Sequence, residues 1–195
     1  KIIGVPEYQM TAPVWQRGII ADEYGVHPSD VSWRCGGLEE PGRIDKVLTF
    51  LPSNVHLEQI PEGKTLSKML DEGEIDALFS ARTPSFFQKG SPNIARLFPN
   101  FREVEEDFFR RTGIFPIMHT FIIRRDVYDA NRWVAMSLFK ALSQAKDLVM
   151  RYFNITSALY TTLPWMTDEV ERTRSALGVD FWPYGIEPNR KTLET

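Results

Sequence analysis

The stretch KIIGVPEYQMTAPVWQRGIIADEYG, residues 1–25, decides the fold class. Its first residues form an apolar run rich in β-branched side chains and bounded by Pro6, which predicts a buried strand. Thr11 is a suitable N-cap for the helix that follows, and Pro13 lies in the first turn, where a missing N–H costs nothing. Helical spacing continues to Gly25, a typical C-terminal stop. The stretch therefore predicts a strand followed directly by a helix.

Strands and helices continue to alternate downstream. The pattern predicts strands at 31–33, 55–60 and 75–79 and a short helix at 65–70, while the charged, turn-rich stretch 38–52 predicts an irregular excursion. Strand, helix and strand in succession favour parallel pairing through right-handed crossovers. The first half of the chain is therefore predicted to be an α/β layer.

The second half is predicted to be mostly helical. Short helices are expected at 93–98 and 104–111, a strand at 117–123, and a long helix from Asp126 to about residue 153, with further helices after residue 167. One face of the long helix carries apolar side chains at helical spacing, which predicts a core-facing stripe: Ala135, Leu138, Phe139, Leu142 and Ala145.

Composition narrows the functional classes. The 195 residues are 43% hydrophobic and 25% charged with a net charge of −3, so there is no basic excess of the kind that nucleic-acid binding needs. No apolar run is long enough to cross a bilayer, so membrane insertion is not expected.

The single cysteine, Cys35, precludes an intrachain disulfide and fits a reducing compartment. Beside Gly36 and Gly37 it is expected to be a small core residue, with a reactive thiol as the alternative.

Several stretches resemble one family in the same order along the chain. They are GVPEYQMTAPVWQRG (4–18), DEYGV (22–26), GEIDALFSARTPS (73–85), RRTGIFPIMHTFIIRRDVY (110–128) and FWPYGIEPNRKTLET (181–195). Together they are similar to the 4,5-dihydroxyphthalate decarboxylases. Members of that family are also often named as transporter substrate-binding proteins, so the resemblance speaks more firmly for a fold than for a reaction.

The resemblance implies a bilobal architecture of the type-II periplasmic-binding-protein kind, with the ligand between the lobes. By this comparison residues 1–115 form the second lobe, and residues 116–195 supply a crossing strand and C-terminal helices of the first. Family members are longer, so the chain is expected to be truncated at both ends. It is expected to be cytoplasmic, with a periplasmic location as the alternative.

The reaction of such an enzyme does not strictly need a metal or an organic cofactor. A ring hydroxyl para to the departing carboxylate pushes electrons into the ring, and protonation of the ipso carbon then releases CO₂. The protein has to hold two carboxylates and deliver one proton, and planar guanidinium groups suit the carboxylates.

The loop from Glu7 to Thr11 is the first candidate for carboxylate binding. It connects a strand to the amino end of a helix, where free N–H groups and the helix dipole attract anions. Tyr8, Gln9 and Thr11 are suited to hydrogen-bond a carboxylate there. The alternative is an ordinary helix start without a ligand.

Two further candidates follow predicted elements. Arg82, Thr83 and Ser85 come after the strand at 75–79, at the kind of edge where open α/β sheets bind ligands. Arg82 is the leading candidate for a carboxylate clamp. Arg111 and Thr112 precede the predicted crossing, although an exposed helix end explains them as well.

Two residues are candidate proton donors. His119 lies in the predicted crossing strand, and its imidazole titrates near neutral pH. Glu7 is the rival, because burial would favour its protonated form. A structural, hydrogen-bonded histidine is the alternative for His119.

The leading hypothesis is a metal-independent decarboxylase that converts 4,5-dihydroxyphthalate, or a close analogue, to a dihydroxybenzoate. The rival is a non-catalytic solute-binding protein for a small aromatic or other carboxylate. An inactive fragment is the third reading. It would expose the apolar face of the long helix and is therefore expected to self-associate.

Overall fold

The computed structural model describes residues 1–45 and 50–195 and divides them into two compact units, residues 1–99 and residues 100–195. The strands of the described residues all lie in the first unit. In that unit helices alternate with the strands of a parallel sheet, which confirms the α/β fold class. The type-II binding-protein architecture and the lobe boundary after residue 115 stay predictions.

The first unit is built on a four-stranded sheet in which every pairing is parallel. Its strands are β1 (Ile2–Val5), β2 (Ser32–Cys35), β3 (His56–Gln59) and β4 (Ala77–Leu78), and its helices are α1 (Thr11–Tyr24), α2 (Leu66–Asp71) and α3 (Ser85–Gln88), with a short 3₁₀ turn at Pro28–Asp30. The strand order is β3-β2-β1-β4, so β1 and β2 form the centre of the sheet and β3 and β4 its two edges.

Alternation along the strands gives the sheet two apolar faces. One face holds Val5, Trp33 and Cys35, which are fully or almost fully buried and pack with Tyr8 and Phe79. A separate buried cluster forms around α2 and consists of Leu66, Met69 and Ile75. A sheet covered on both faces is what a parallel arrangement requires.

Gly4 permits the close approach of α2 to the sheet. A Cβ at this position would lie 2.7 Å from Ile75 Cδ1 and 2.9 Å from Leu66 Cδ2. Both neighbours belong to the cluster around α2. The absence of a side chain in the middle of β1 therefore leaves room for that cluster.

Helix α1 begins and ends close to the predicted positions, but its first cap is different. Met10 is the N-cap residue, and none of the described side chains caps the first turn. Thr11 is the first helical residue, so its prediction as the N-cap was wrong. Gly25 ends the helix in the left-handed conformation, at φ 67°, as a glycine C-cap should.

The helix predicted at 93–98 does not form. Asn93 makes local hydrogen bonds instead: its N–H donates to Ser91 Oγ over 3.2 Å and its side chain donates to the Asp71 carbonyl over 3.1 Å. Such bonds compete with helix formation. Pro99 also disfavours a helical residue before it.

The second unit consists of helices and their connections. Arg102 of its first helix pairs with Glu169 at 2.9 Å. No helix among the described residues combines the length and apolar character that crossing a membrane would take. The helices are α4 (Phe101–Thr112), α5 (Arg125–Ala130), α6 (Trp133–Tyr152), α7 (Met166–Leu177) and α8 (Ile186–Glu194).

The strand predicted at 117–123 is absent, because residues 113–124 form neither strand nor helix. A strand needs a neighbour to accept and donate its backbone hydrogen bonds. The described residues of this unit offer only helices and connections. The apolar pattern was sufficient to suggest a strand but could not supply its partner.

The long helix predicted from Asp126 is divided into α5 and α6. The break falls at Asn131, whose backbone lies outside the helical region and whose side chain donates to the Val127 carbonyl over 3.4 Å. Asparagine favours such local bonds over helix continuation.

The apolar stripe of α6 does not form a core among the described residues. Leu138 and Phe139 are 40% and 44% exposed. The buried residues of this unit are Val170 and Thr192. Helical periodicity identified an apolar face correctly but says nothing about which element covers it.

Candidate functional site

The carboxyl ends of the parallel strands lie at one edge of the sheet in the first unit, the edge at which open α/β sheets bind ligands. Four described connections leave it: residues 6–10 after β1, residues 36–45 after β2, residues 60–65 after β3 and residues 79–84 after β4. The first and fourth carry residues proposed from the sequence. The second was predicted only as an irregular excursion, of which residues 46–49 lie outside the described residues.

Glu7 forms an ion pair with Arg43. Arg43 donates to Glu7 Oε1 from Nε over 2.9 Å and also from Nη2. The Glu7 side chain is 13% exposed, whereas that of Arg43 is 39% exposed. Glu7 is thus a largely covered hydrogen-bond acceptor, and donation of a proton requires it to leave this pair.

The ring of Tyr8 lies in the core. It packs edge-on against Trp33 with centroids 5.4 Å apart, and the Arg17 guanidinium lies over the ring, 3.7 Å from its centroid. Burial raises the pKa of the Tyr8 phenol, although the nearby Arg17 charge opposes the shift. The ring therefore stabilises the first unit, and a role for Tyr8 in ligand binding stays a prediction.

The backbone of Tyr8 is fixed on both sides. Its N–H donates to the Asp45 carboxylate over 3.0 Å, and its carbonyl accepts from Arg17 Nη1 over 2.7 Å. Burial lowers the pKa of Arg17, although its proximity to Tyr8 and Asp45 opposes the shift. The N–H that was expected to bind a ligand anion thus binds a carboxylate of the chain itself.

Gln9 and Thr11 are exposed at the start of α1. Their side chains make no hydrogen bond with the described residues. They are therefore accessible to a ligand at this edge, and their predicted role stays open to test.

Arg82 is exposed in the connection after β4, next to the exposed Thr83. Its backbone N–H donates to Ser80 Oγ over 3.0 Å, which forms a local turn. Its guanidinium has no carboxylate partner among the described residues. The leading candidate for a carboxylate clamp is therefore an accessible cation.

Ser85, at the start of α3, binds a carboxylate in this structure. Its N–H donates to Glu39 Oε1 over 2.8 Å, and its hydroxyl donates to Glu39 Oε2 over 2.7 Å. Its Oγ also lies 3.5 Å from Ser67 Oγ. The geometry is that of a bidentate carboxylate contact, here made within the chain.

Segment 36–45 is the part of the site that sequence reasoning missed. It supplies Glu39, Arg43 and Asp45, the partners of all three contacts just described. Its path requires Gly37, because a Cβ there would lie 1.6 Å from the Glu40 carbonyl oxygen. The glycine pair at the end of β2 was the available signal of a sharp turn back over the sheet edge.

Cys35, the last residue of β2, is a buried free thiol. Burial, together with the negative charge of Asp45, raises its pKa to about 12. The protonated thiol is therefore favoured, which agrees with a core residue and not with a reactive nucleophile.

Arg111 and Thr112 end helix α4 in the second unit. Arg111 Nε donates to Asp107 over 2.8 Å, and this hydrogen bond is the main reason that the pKa of Asp107 is lowered. Thr112 Oγ1 donates to the Phe108 carbonyl over 2.7 Å and accepts from Ile114 N over 3.1 Å. These contacts complete a helix end, while ligand binding by the two residues stays a prediction.

His119 is exposed within residues 113–124 of the second unit, where no strand forms. It therefore does not have the buried, hydrogen-bonded position of a structural core histidine. Its role as a proton donor stays a prediction.

No cluster of His, Cys, Asp and Glu side chains suited to a metal ion occurs among the residues that the structure describes. The polar groups at the edge of the sheet are instead guanidinium, hydroxyl and amide donors with carboxylate acceptors. Donors of this kind form charge-assisted hydrogen bonds with carboxylates.

The first unit is thus an α/β unit whose sheet edge carries guanidinium, hydroxyl and carboxylate groups. Two known proteins are similar to the chain. The chain is 40% identical over 194 residues to the 4,5-dihydroxyphthalate decarboxylase of Comamonas testosteroni, a match that covers 100% of this chain and 59% of that protein. It is 44% identical over 110 residues to the 4,5-dihydroxyphthalate decarboxylase of Pseudomonas putida, covering 56% of this chain and 43% of the relative.

These matches confirm the resemblance to the 4,5-dihydroxyphthalate decarboxylases. No family model matches the chain. The chain spans less than two thirds of the length of the relatives that it matches.

Proposed function

We propose that the protein is a metal-independent decarboxylase of 4,5-dihydroxyphthalate or a close analogue. The observation that carries the proposal is the 40% identity to the Comamonas testosteroni decarboxylase along 100% of this chain. The carboxylate-binding groups at the sheet edge support it. The proposed site is a cleft between two lobes, as the resemblance implies. A cytoplasmic location belongs to the proposal, with a periplasmic location as the alternative.

The substrate itself supplies most of the electronic driving force. The hydroxyl para to one carboxylate pushes electrons into the ring, a proton adds to the ipso carbon, and the bond to the carboxylate breaks to give CO₂. The electron pair of that bond returns to the ring and restores its aromaticity. The protein has to orient the ring and to deliver the proton.

Arg82 is proposed to bind a substrate carboxylate, because it is the accessible guanidinium in the connection after β4 and has no carboxylate partner among the described residues. Thr83 and Ser85 are proposed to add hydroxyl and amide donors on the same connection. Ser85 already makes such a contact with Glu39. Tyr8, Gln9 and Thr11 are proposed to contribute from the connection after β1, and Arg111 and Thr112 form a further proposed contact on the second unit.

Glu7 and His119 are the proposed proton donors. Glu7 lies at the sheet edge, where its side chain is largely covered and pairs with Arg43. His119 is exposed in the second unit, in the segment that the resemblance assigns to the interlobe crossing. Substitution of each residue decides between them.

The test is to incubate the intact protein with 4,5-dihydroxyphthalate and to follow release of CO₂ and formation of a dihydroxybenzoate. Glu7→Gln and His119→Ala are compared with wild type. We expect kcat to fall roughly 10²–10⁴-fold in the variant that has lost the acid, the usual contribution of general acid catalysis. His56→Ala is the matched control, because His56 is an exposed residue of β3 and has no proposed role.

Turnover by wild type, lost in one variant and kept in the control, supports the enzyme and identifies its acid. Tight binding of the aromatic acid without turnover would instead show a solute-binding protein. Failure to bind or convert the compound would refute both the activity and the proposed ligand class.

A further inference from the structure

The contact between Glu7 and Arg43 joins two connections at the carboxyl edge of the sheet. Glu7 follows β1, and Arg43 belongs to segment 36–45 after β2. The contact places a guanidinium beside the residue proposed as an acid, in a segment that also reaches Tyr8 and Ser85 through Asp45 and Glu39. Arg43 is therefore in contact with the proposed machinery, although nothing in the sequence pattern assigned it a role.

We propose that Arg43 is a second carboxylate-binding cation of the site and that a ligand carboxylate exchanges with Glu7 as its partner. The proposal rests on the proposed function for its substrate. It adds a residue and a reason why the substrate has to be a dicarboxylate. One carboxylate binds Arg82, which has no carboxylate partner among the described residues, and the other displaces Glu7 from Arg43.

The geometry favours exchange. Arg43 uses Nε and Nη2 on a single oxygen, Glu7 Oε1, which leaves its other donors and the second Glu7 oxygen outside this contact. The Arg43 side chain is 39% exposed, so a ligand can approach it from solvent. Replacing one carboxylate by another conserves the charge-assisted hydrogen bonds of the guanidinium.

Exchange would also prepare Glu7 as an acid. When Arg43 turns to the ligand, Glu7 loses its cation and faces a second anion, and both changes favour the protonated form of a carboxyl group. The proton that Glu7 takes from solvent then forms the new C–H bond at the ipso carbon. The C–CO₂ bond breaks, its electron pair returns to the ring, and Glu7 is left as a carboxylate.

Arg43 is assigned the carboxylate that is retained, so that the same ion pair holds the product once CO₂ has left. After CO₂ has left, Glu7 is ionised again and competes for Arg43. The return of the original pair then weakens the hold on the monocarboxylate product. The proposed cycle therefore couples proton delivery to product release.

The proposal is tested first by binding of phthalate and benzoate, measured by calorimetry with the intact protein. Arg43→Met should weaken phthalate binding roughly 10–100-fold, the loss expected for hydrogen bonds to a charged group, and benzoate binding much less. Glu7→Gln should tighten phthalate binding roughly two- to fivefold, because the competing carboxylate is gone. Arg34→Met and Glu58→Gln form the matched control, since these residues pair at 3.1 Å between β2 and β3 and should leave both affinities unchanged.

The second test is steady-state turnover of 4,5-dihydroxyphthalate. Arg43→Met should raise KM while Arg43→Lys restores part of the lost affinity, and Glu7→Gln should lower kcat without raising KM. The proposal is overturned if Arg43→Met changes phthalate and benzoate binding equally, or if Glu7→Gln leaves phthalate binding unchanged or weaker. Wild type that binds phthalate with the expected variant pattern but never releases CO₂ would refute the decarboxylase and support the exchange. If neither wild type nor Glu7→Gln binds phthalate, both the decarboxylase activity and the carboxylate exchange are refuted.

Discussion

The reactivity of the Cys35 thiol is expected to depend on its burial in the folded protein. It is fully buried at the end of β2, and its pKa is raised to about 12 by burial and by Asp45. We therefore expect the thiol of the folded protein to react with a disulfide reagent at pH 8 at least about a hundredfold more slowly than in urea, since the thiolate is the reactive form. Equal rates in the two conditions would show that the thiol is accessible and ionisable.

The same thiol links folding to pH. The unfolded thiol titrates near 9.0 and the folded one near 12, so between these values the folded chain retains a proton that the unfolded chain has lost. The contribution of Cys35 to stability is therefore complete below about pH 9 and is lost as the pH rises toward 12. Urea unfolding at pH 8 and pH 10 should show a smaller stability advantage of wild type over Cys35→Ala at the higher pH. A constant advantage would contradict the shift.

Arg82 is the residue on which the proposed substrate contact depends most directly. We expect Arg82→Gln to raise KM for 4,5-dihydroxyphthalate roughly 10–100-fold, because a carboxylate would lose its charge-assisted hydrogen bonds. Lys89→Gln is the control, since Lys89 is a nearby exposed cation just after α3. Steady-state kinetics measure both variants, and an equal, small effect in the two would mean that Arg82 contributes only general positive charge.

Two glycines of the first unit should respond in opposite ways to the same substitution. Gly4→Ala places a Cβ 2.7 Å from Ile75 Cδ1 in the packed region between β1 and α2, so we expect a loss of about 1–3 kcal/mol in the free energy of unfolding. Gly18→Ala lies within α1 with no atom inside 4 Å of the new Cβ and should gain roughly 0.5–1 kcal/mol. Urea denaturation measures both changes. If Gly4→Ala is neutral, α2 is free to move away from the sheet.

The elements that the sequence could predict are those whose pattern is local. β1 and α1 follow from a β-branched run, a proline in the first turn and a glycine stop, and the helix ends at Gly25 as expected. The strand expected at 117–123 does not form. Its apolar pattern is local, whereas the hydrogen bonds of a strand need a neighbouring strand that the pattern does not reveal. Asn131 divided a predicted helix by bonds that periodicity does not register.

The candidate site, like the fold, could be predicted from the sequence only in part. The connections after β1 and β4 could be predicted from the rule that ligands bind at the carboxyl ends of parallel strands. Segment 36–45 could not, because its contacts with Glu7, Tyr8 and Ser85 cross between connections and depend on a turn at Gly37. Charge-rich loops carry no periodic signal for where they fold, so Arg43 became a candidate only with the structure.

At the scale of the whole molecule the two units differ in how much they bury. The first unit has two apolar clusters, whereas the second has Val170 and Thr192 as its buried residues and leaves Trp133 of α6 68% exposed. Local stability follows buried apolar contacts. The two units should therefore not be equally stable in the isolated 195-residue chain.

We expect amide hydrogen exchange of the isolated chain to show slow exchange in β1 and β2 and much faster exchange in α6, whose hydrogen bonds are protected by few buried side chains. Measurement at two protein concentrations makes the test sharper. If α6 is as well protected as β1 only at the higher concentration, its exposed apolar face is covered by a second copy of the chain, as expected of a large exposed apolar surface. If α6 is equally protected at both concentrations, burial within the unit is not what determines its stability, and the expected difference between the units is wrong.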